Sequence, residues 1–349
     1  MIVNDLEFHN VAELEQAHGV SGILLQRFPQ KVRYALGTEA RPNGRYVAEQ
    51  STGCEIRFVT EARILRVVLT ATLGEGDIVI YNGDYVHSVH RLVPGRVHTL
   101  QLEKHARFGE VHKQALETGR FSSDVWRIGI SRNYEAGIGF QVAFHHLETF
   151  GHAYRPPHAH ELPSQTMLAY GSSITHGSGA TVHHNAYIQQ TARRLGYDLL
   201  NKGLGGSCLC EAEIADFLAE QPAWDIAVLE LGVNMRELFT TEEFTSRARY
   251  LINQIVTKNI GKPVFLITLF PNSSDHLVSE NNPLTNANKQ FSQAIRDLHR
   301  EFALPHLHLI EGHEVLNDFS ALAADLIHPS DFGHIIMGER LAQRISEKL

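Results

Sequence analysis

The chain changes rhythm partway along, and that change limits the folds open to it. From about residue 20 to 150, short segments alternate apolar with polar residues: Glu55-Ile56-Arg57-Phe58-Val59, Arg63-Ile64-Leu65-Arg66-Val67-Val68-Leu69, Asp77-Ile78-Val79-Ile80-Tyr81, Val97-His98-Thr99-Leu100-Gln101-Leu102 and Trp126-Arg127-Ile128-Gly129-Ile130. Turn residues such as Asn82-Gly83-Asp84 and Pro94-Gly95 separate them. Strands of period two with turns at this spacing predict an antiparallel sandwich. Asn10, with Glu13 three residues on, has the spacing of a capping box and predicts one short helix ahead of the strands.

Residues 151–163 carry Pro156, Pro157 and Pro163 and lose all periodicity, which marks a linker. The boundary is drawn at 155/156, giving a β-sandwich over 1–155 and a second domain over 156–349. Beyond the linker the pattern is strand, loop, helix. Strands are expected at Thr166–Tyr170, Tyr197–Leu200, Ile226–Leu231, Val264–Phe270 and Leu307–Ile310. Helices are expected over Ala186–Leu195, from Thr240 to about Lys258, around Asn286–Phe302 and from Phe332. Thr240 with Glu243, flanked by Phe239 and Phe244, supplies a capping box and a hydrophobic staple. Alternating strands and helices predict a parallel sheet covered on both sides, an α/β domain.

Composition excludes several function classes. The 349 residues carry a formal charge of -8 and no Lys/Arg run, which argues against a nucleic-acid surface. No stretch approaches the roughly 18–20 apolar residues of a membrane span, and the acidic start Met1-Ile2-Val3-Asn4-Asp5-Leu6-Glu7 is unlike a secretory leader. Cys54, Cys208 and Cys210 make an odd count and no disulfide framework, so a cytoplasmic, reduced setting is expected. Cys208 and Cys210 lack the second pair that a zinc site needs, and His152, His158 and His160 read better as an extended linker than as ligands. No metal or cofactor is implied.

Four segments carry chemistry, and each follows a predicted strand. Ligands of parallel sheets collect beyond the carboxyl ends of the strands. Gly171-Ser172-Ser173-Ile174-Thr175 places Ser173 in a turn leading to a helix. Gly203-Leu204-Gly205-Gly206 offers backbone amides without obstructing side chains. A dinucleotide loop is disfavoured there, because G-x-G-x-x-G fails at Cys208. Gly232-Val233-Asn234 presents a carboxamide donor, and Asp325-Leu326-Ile327-His328-Pro329 an Asp/His pair with spacing three. A serine, two kinds of oxyanion donor and an oriented base are the parts of an acyl-transfer site. Taken singly, each also reads as an ordinary turn or cap; their joint order favours the site.

These segments resemble the SGNH, or GDSL-like, hydrolases, whose four blocks carry Ser, Gly, Asn and His in that order. The resemblance covers about residues 165–349 and implies a flavodoxin-like α/β/α sandwich. It implies Ser173 as nucleophile with Asp325 and His328 completing a triad, and an oxyanion hole from the Ser173 amide, Gly206 and Asn234. Ser172 stands where the family usually has Asp, and Met235 where an Asp commonly follows the asparagine. A jelly-roll-like, all-β sandwich followed by such a hydrolase is similar to the two-domain carbohydrate acetylesterases and to related acyl-processing enzymes, some of them acyltransferases.

The expected activity is therefore a serine esterase acting on a small-molecule acyl ester, acetyl on a carbohydrate being the first choice. Acyl transfer by the same residues, or sugar binding with a vestigial hydrolase, are the alternatives. His176, Gly177, Arg236 and Glu237 flank the blocks as candidate pocket residues. Tyr81, Tyr85 and Trp126 are candidates for stacking a sugar, although Trp126 sits in an alternating strand as a core residue would. The sandwich could instead mediate a homo-oligomer.

Overall fold

The alternating half builds two antiparallel sheets. The computed structural model describes residues 1–16, 18–37, 43–131, 139–221, 224–279 and 282–349. Two units separate: Met1–Gln30 with Glu49–Ser164 and Gly196–Asp198, and Lys31–Ala48 with Gln165–Leu195 and Leu199–Leu349. In the first unit a seven-stranded sheet runs in the order Ile2–Val3, Leu6–His9, Glu55–Thr60, Val125–Ile130, Gly76–Asn82, Tyr85–Leu92, and Tyr154–Arg155 also pairs with Glu55–Thr60. A five-stranded sheet runs Glu13–Glu15, Ile23–Gln26, Val142–Glu148, Ile64–Ala71, Val97–Glu103.

Every second residue of these strands enters one core: Ile56 and Phe58, Leu65, Val67 and Leu69, Ile78 and Ile80, Trp126 and Ile128. Each side chain of this size contributes about 1.5–3 kcal/mol on full burial, and the period-two pattern collects them on facing sheets as a β-sandwich. Trp126 is fully buried and stacked on Phe58 at 6.5 Å, so the alternation correctly marks it as core. The intervening residues Glu55, Arg57 and Arg127 form a charged cluster. Arg127 donates to both Glu55 oxygens at 2.9 and 2.5 Å, and Arg57 Nε to Oε2 at 2.8 Å.

Two local expectations change. The Asn10/Glu13 spacing caps no helix: Glu13–Glu15 is a strand paired with Ile23–Gln26, and Asn10 takes φ 57° and donates its amide to the Gly53 carbonyl. Pairing with a neighbouring strand overrides a cap signal that no apolar helical stripe supports. The proline-rich stretch is not wholly linker either, because Tyr154 and Arg155 pair with Thr60 and Val59, and Arg155 clasps Glu161 at 2.7 and 2.8 Å.

The parallel sheet has the strands β1 (Thr166–Tyr170), β2 (Asp198–Asn201), β3 (Ile226–Glu230), β4 (Val264–Ile267) and β5 (Leu307–Ile310), all in the second unit but for Asp198 at the start of β2. Their order is β2-β1-β3-β4-β5, with β1, β3, β4 and β5 paired in parallel. This is the flavodoxin-like order, whose switch point lies between β1 and β3. The main helices are α1 (Ser173–His176), α2 (Tyr187–Leu195), α3 (Ala212–Glu220), α4 (Thr241–Lys258), α5 (Pro283–Phe302) and α6 (Asp331–Ser346). α6 packs on α2, while α3, α4 and α5 pack in series, the helix layers of an α/β/α sandwich. The α4 capping box forms as predicted: Thr240 Oγ1 accepts from Glu243 N, and Glu243 from Thr240 N. Among the described residues no helix is long and apolar enough to cross a membrane.

Candidate active site

Ser173 follows β1 at the switch point. Ser172 caps the single turn α1, its Oγ accepting from the Ile174 amide at 3.1 Å, and Ser173 is the first helical residue. Ser172, Ile174, Thr175 and His176 are buried, while Ser173 alone in this turn is half-buried. The helix is too short for its end to act as a dipole, so a donor here would be the Ser173 amide itself.

The Asp/His loop reaches the same point from the other end of the chain. Leu322 and Pro329 bridge in antiparallel fashion, and Ala323 N donates to the His328 carbonyl at 2.7 Å, closing a narrow loop. Ser273 N holds the Leu326 carbonyl at 2.7 Å, with Leu326 at φ 55°. Within this loop Asp325 Oδ1 accepts from the Ile327 and His328 amides at 3.0 and 2.9 Å, and Oδ2 pairs with His328 Nδ1 at 2.6 Å. Partial burial pushes the Asp325 carboxyl up, but the hydrogen bonds from the His328 ring and the two amides outweigh it and hold it below the usual range. His328 Nε2 lies 2.7 Å from Ser173 Oγ. The relay from Ser173 through His328 to Asp325 is continuous.

Gly179 permits this approach. At φ 93° its missing Cβ would overlap the Pro329 carbonyl and sit 3.3 Å from His328 Cβ. Any other residue would push the loop away. His334 and Asp331, neither of them visible as site residues in the sequence, brace the junction. His334 accepts from Tyr187 N at 3.0 Å and its other nitrogen meets the Ser178 carbonyl at 2.9 Å, while Asp331 holds Thr181 and Asn185.

The glycine loop abuts the serine: a Cβ on Gly205 would lie 3.7 Å from Ser173 Cβ. Two residues beyond Gly206, Cys208 N donates to Asn234 Oδ1 at 3.2 Å. That bond fixes the carboxamide with Nδ2 as its donor end. Gly205 thus lies against Ser173, and Cys208, three residues on, is bonded to Asn234. Asn43, which no sequence signal marks, places Nδ2 3.7 Å from the Cβ position of Gly206.

The flanking residues are less open than a pocket lining would be. His176 is 1% exposed, and Gly177 ends α1 at φ 101°. Arg236 ties its own loop to the turn at 272–274 and to α5, Nη1 reaching Asn272, Ser274 and Asn288 at 3.1, 3.0 and 2.6 Å, and Nε the Val233 carbonyl. Only Glu237 is exposed. Of the aromatic candidates, Tyr81 and Trp126 are buried, and Tyr85 alone reaches solvent, edge-on to Phe108 at 5.5 Å. Cys54, Cys208 and Cys210 are buried, and among the described residues no cluster of three or more His, Cys, Asp or Glu side chains is arranged to hold a metal.

Beneath the serine turn lies Glu230, the last residue of β3. It is 1% exposed and accepts from Ser172 N and Oγ, both at 2.7 Å, and from Thr175 Oγ1 at 3.0 Å. Burial pushes its carboxyl up to about 7, against these hydrogen bonds, which lower it. The signal was present in the sequence as one acid closing an otherwise apolar central strand.

Residues 164–346, just over half of the chain, match the GDSL-like Lipase/Acylhydrolase family. No curated protein matches the sequence. Among solved structures, the salicylyl-acyltransferase SsfX3 from a tetracycline biosynthetic pathway superposes with TM-score 0.79 at 15% identity, over 99% of this chain and 95% of that one. A family two carbohydrate esterase from Clostridium thermocellum, in complex with cellohexaose, gives 0.61 at 15% identity over 85% and 93%. An acetyl xylan esterase from the rumen bacterium Butyrivibrio proteoclasticus gives 0.60 at 12% identity over 99% and 97%. At such identities the likeness is one of fold, and it extends through the sandwich.

Proposed function

The chain belongs to the GDSL-like lipase/acylhydrolase family, and on that premise we propose a serine ester hydrolase that removes small acyl groups, acetyl first, from a carbohydrate or glycoside. The observation that carries this reading is the relay of Asp325 Oδ2 to His328 Nδ1 at 2.6 Å and His328 Nε2 to Ser173 Oγ at 2.7 Å. His328 takes the Ser173 proton as Oγ attacks the ester carbonyl, and Asp325 steadies the imidazolium. The Ser173 and Gly206 amides and Asn234 Nδ2 are assigned to the oxyanion, each such donor being worth roughly 3–4 kcal/mol in other hydrolases. The imidazolium returns its proton to the leaving alcohol, and a water deprotonated by His328 then releases the acid and frees Ser173.

Acetyl and carbohydrate are chosen because a carbohydrate esterase and an acetyl xylan esterase share the fold over most of their length. The sandwich is assigned to substrate binding, Tyr85 being its exposed aromatic among the three candidates. Acyl transfer is the second reading. It is favoured by the likeness to an acyltransferase over nearly the whole chain and by Leu326, 41% exposed next to Asp325, as an apolar contact for an acceptor. The acceptor would take the place of water in the second step, with the same proton movements.

The test is release of p-nitrophenol from acetyl and octanoyl esters by wild type and by folded Ser173→Ala. Acetyl-selective turnover falling by about 10³-fold or more in the variant is expected. Turnover that survives the substitution, or an inert wild type, overturns the reading. Product analysis with alcohol and water both present separates transfer from hydrolysis.

A further inference from the structure

The mechanism above uses neither Glu230 nor the residues on each side of Ser173, yet three buried polar contacts converge on that carboxylate. Glu230 Oε2 receives Ser172 N, Ser172 Oγ and Thr175 Oγ1. With the Ser172 proton committed to Glu230, Ser172 Oγ is free to accept from the Ile174 amide. With the Thr175 proton also committed, the Tyr187 hydroxyl must be the donor in its 2.8 Å bond to Thr175 Oγ1. The carboxylate therefore sets the direction of the Ser172, Thr175 and Tyr187 hydroxyls. Gly171 leaves it room, since a Cβ there would lie 2.7 Å from Glu230 Oε2 and overlap Thr175 Oγ1.

We propose that Glu230 is a positioning residue for Ser173: from the end of β3 its carboxylate grips Ser172 and Thr175, and so holds the Ser173 hydroxyl and amide in line with His328. The proposal rests on the reading of Ser173 as the nucleophile. The grip depends on charge as well as shape, because an ionised carboxylate accepts hydrogen bonds more strongly than a neutral one. Three titratable groups feel that charge: Tyr187 on α2, Cys208 after β2 and Arg236 after β3. Burial pushes Tyr187 and Cys208 well above their ordinary values, so both stay neutral near pH 7. Burial lowers Arg236, and its side chain is engaged by Asn272, Ser274 and Asn288 rather than by Glu230. On β4 the register partner of Glu230 is the apolar Ile267. Nothing among these neutralises Glu230 as a bonded cation would, so its own protonation near pH 7 loosens the grip.

The test compares the full chain with Glu230→Gln and Ser172→Ala, measuring the rate at which a fluorophosphonate labels Ser173 across pH 5–9, together with ester turnover and melting temperature. Labelling reports on the serine without requiring that the ester be the right one. For Glu230→Gln the expected result is labelling and kcat about tenfold slower at pH 8 with KM unchanged within about twofold, an acid limb that loses one ionisation, and a melting temperature at pH 8 equal to or above that of wild type. A residue that merely supports the fold would lower the melting temperature and leave the limb in place. Ser172→Ala keeps the carboxylate but removes a donor that lowers it, so the acid limb moves to higher pH with about a threefold slower rate. Unchanged rates and limbs in both variants overturn the proposal. If Glu230→Gln fails to fold, an unchanged limb in Ser172→Ala does so alone. A wild type that labels but does not hydrolyse esters overturns the ester reading and not this one, and a wild type that does neither overturns both.

Discussion

Each unit of this molecule withdraws a glutamate from water, Glu55 for the most part and Glu230 fully, and the two are treated in opposite ways. Glu55 in the sandwich is pushed up by burial, but the Arg127 and Arg57 guanidiniums outweigh that and hold it well below its ordinary value. Glu230 in the hydrolase unit is buried more completely, meets only amide and hydroxyl donors, and rises to about 7. The first arrangement locks a charge in place and serves the fold. The second keeps a charge at the edge of ionisation beside Ser173, the proposed nucleophile. Perturbed groups gather where chemistry is done, but Glu55 shows that perturbation alone does not mark a site. What separates the two is the sign of the shift and the company of a reactive side chain.

The contrast predicts opposite responses to the same isosteric change. Glu55→Gln leaves two buried guanidiniums without their shared anion and should cost about 3 kcal/mol of stability at pH 7, with catalysis per folded molecule intact. Because Glu55 is depressed in the fold, its contribution is present above its unfolded value near 4.5 and fades as pH falls through the lower folded value. The gap between wild type and Glu55→Gln in urea titrations should therefore shrink below pH 4.5. Glu230 runs the other way. Its raised value makes ionised wild type less stable than Glu230→Gln, by a margin that grows from about pH 4.5 and levels off above about 7. Gaps of the same sign and slope would erase the distinction.

Gly171→Ala comes next in size. Its new Cβ would collide with Thr175 Oγ1 and Glu230 Oε2, so the turn must shift. A loss of about 2 kcal/mol is expected, with a fall in kcat of about tenfold because Ser173 moves off His328. Denaturant melts with kcat and KM at pH 8 check it. A stability loss without a kcat loss would show that the turn can give way without moving the serine.

How much of this was legible in the sequence depends on whether a residue acts locally or across the chain. The alternation of Ile56/Phe58 and Ile78/Ile80 and the apolar run at Val264–Ile267 report their own surroundings, and they located most sheet strands. Ser173, Gly206, Asn234, Asp325 and His328 could be singled out as candidates as well, because each lies in a short distinctive segment, the first three just after strands. The short strands at Leu6–His9 and Glu13–Glu15 were not, since pairing partners rather than local pattern make them strands. The same holds for Asn43, Asp331 and His334, which lie outside the motifs and whose partners are far along the chain. Ser172 shows the limit most clearly. As a letter it is a departure from the usual Asp of the family; in three dimensions it is the link between the serine turn and the carboxylate of Glu230.

The smallest expected effect tests how far that link extends. Tyr187 is fully buried on α2 and its hydroxyl touches the grip only through Thr175 Oγ1. Tyr187→Phe removes one buried hydrogen bond while keeping the ring that lies edge-on to Phe270 at 5.6 Å, which should cost about 1 kcal/mol. Thr175 still donates to Glu230, but its hydroxyl is no longer polarised by a donor behind it, so it holds the carboxylate slightly less well. Turnover should fall by less than about threefold, with the acid limb of the pH profile moving slightly to higher pH. Tyr187 is itself neutral through the assay range, so no movement of the limb belongs to its own ionisation. A fall as large as that of Glu230→Gln would place the hold on Ser173 in the hydroxyl chain from α2, and the carboxylate would then be only its terminus.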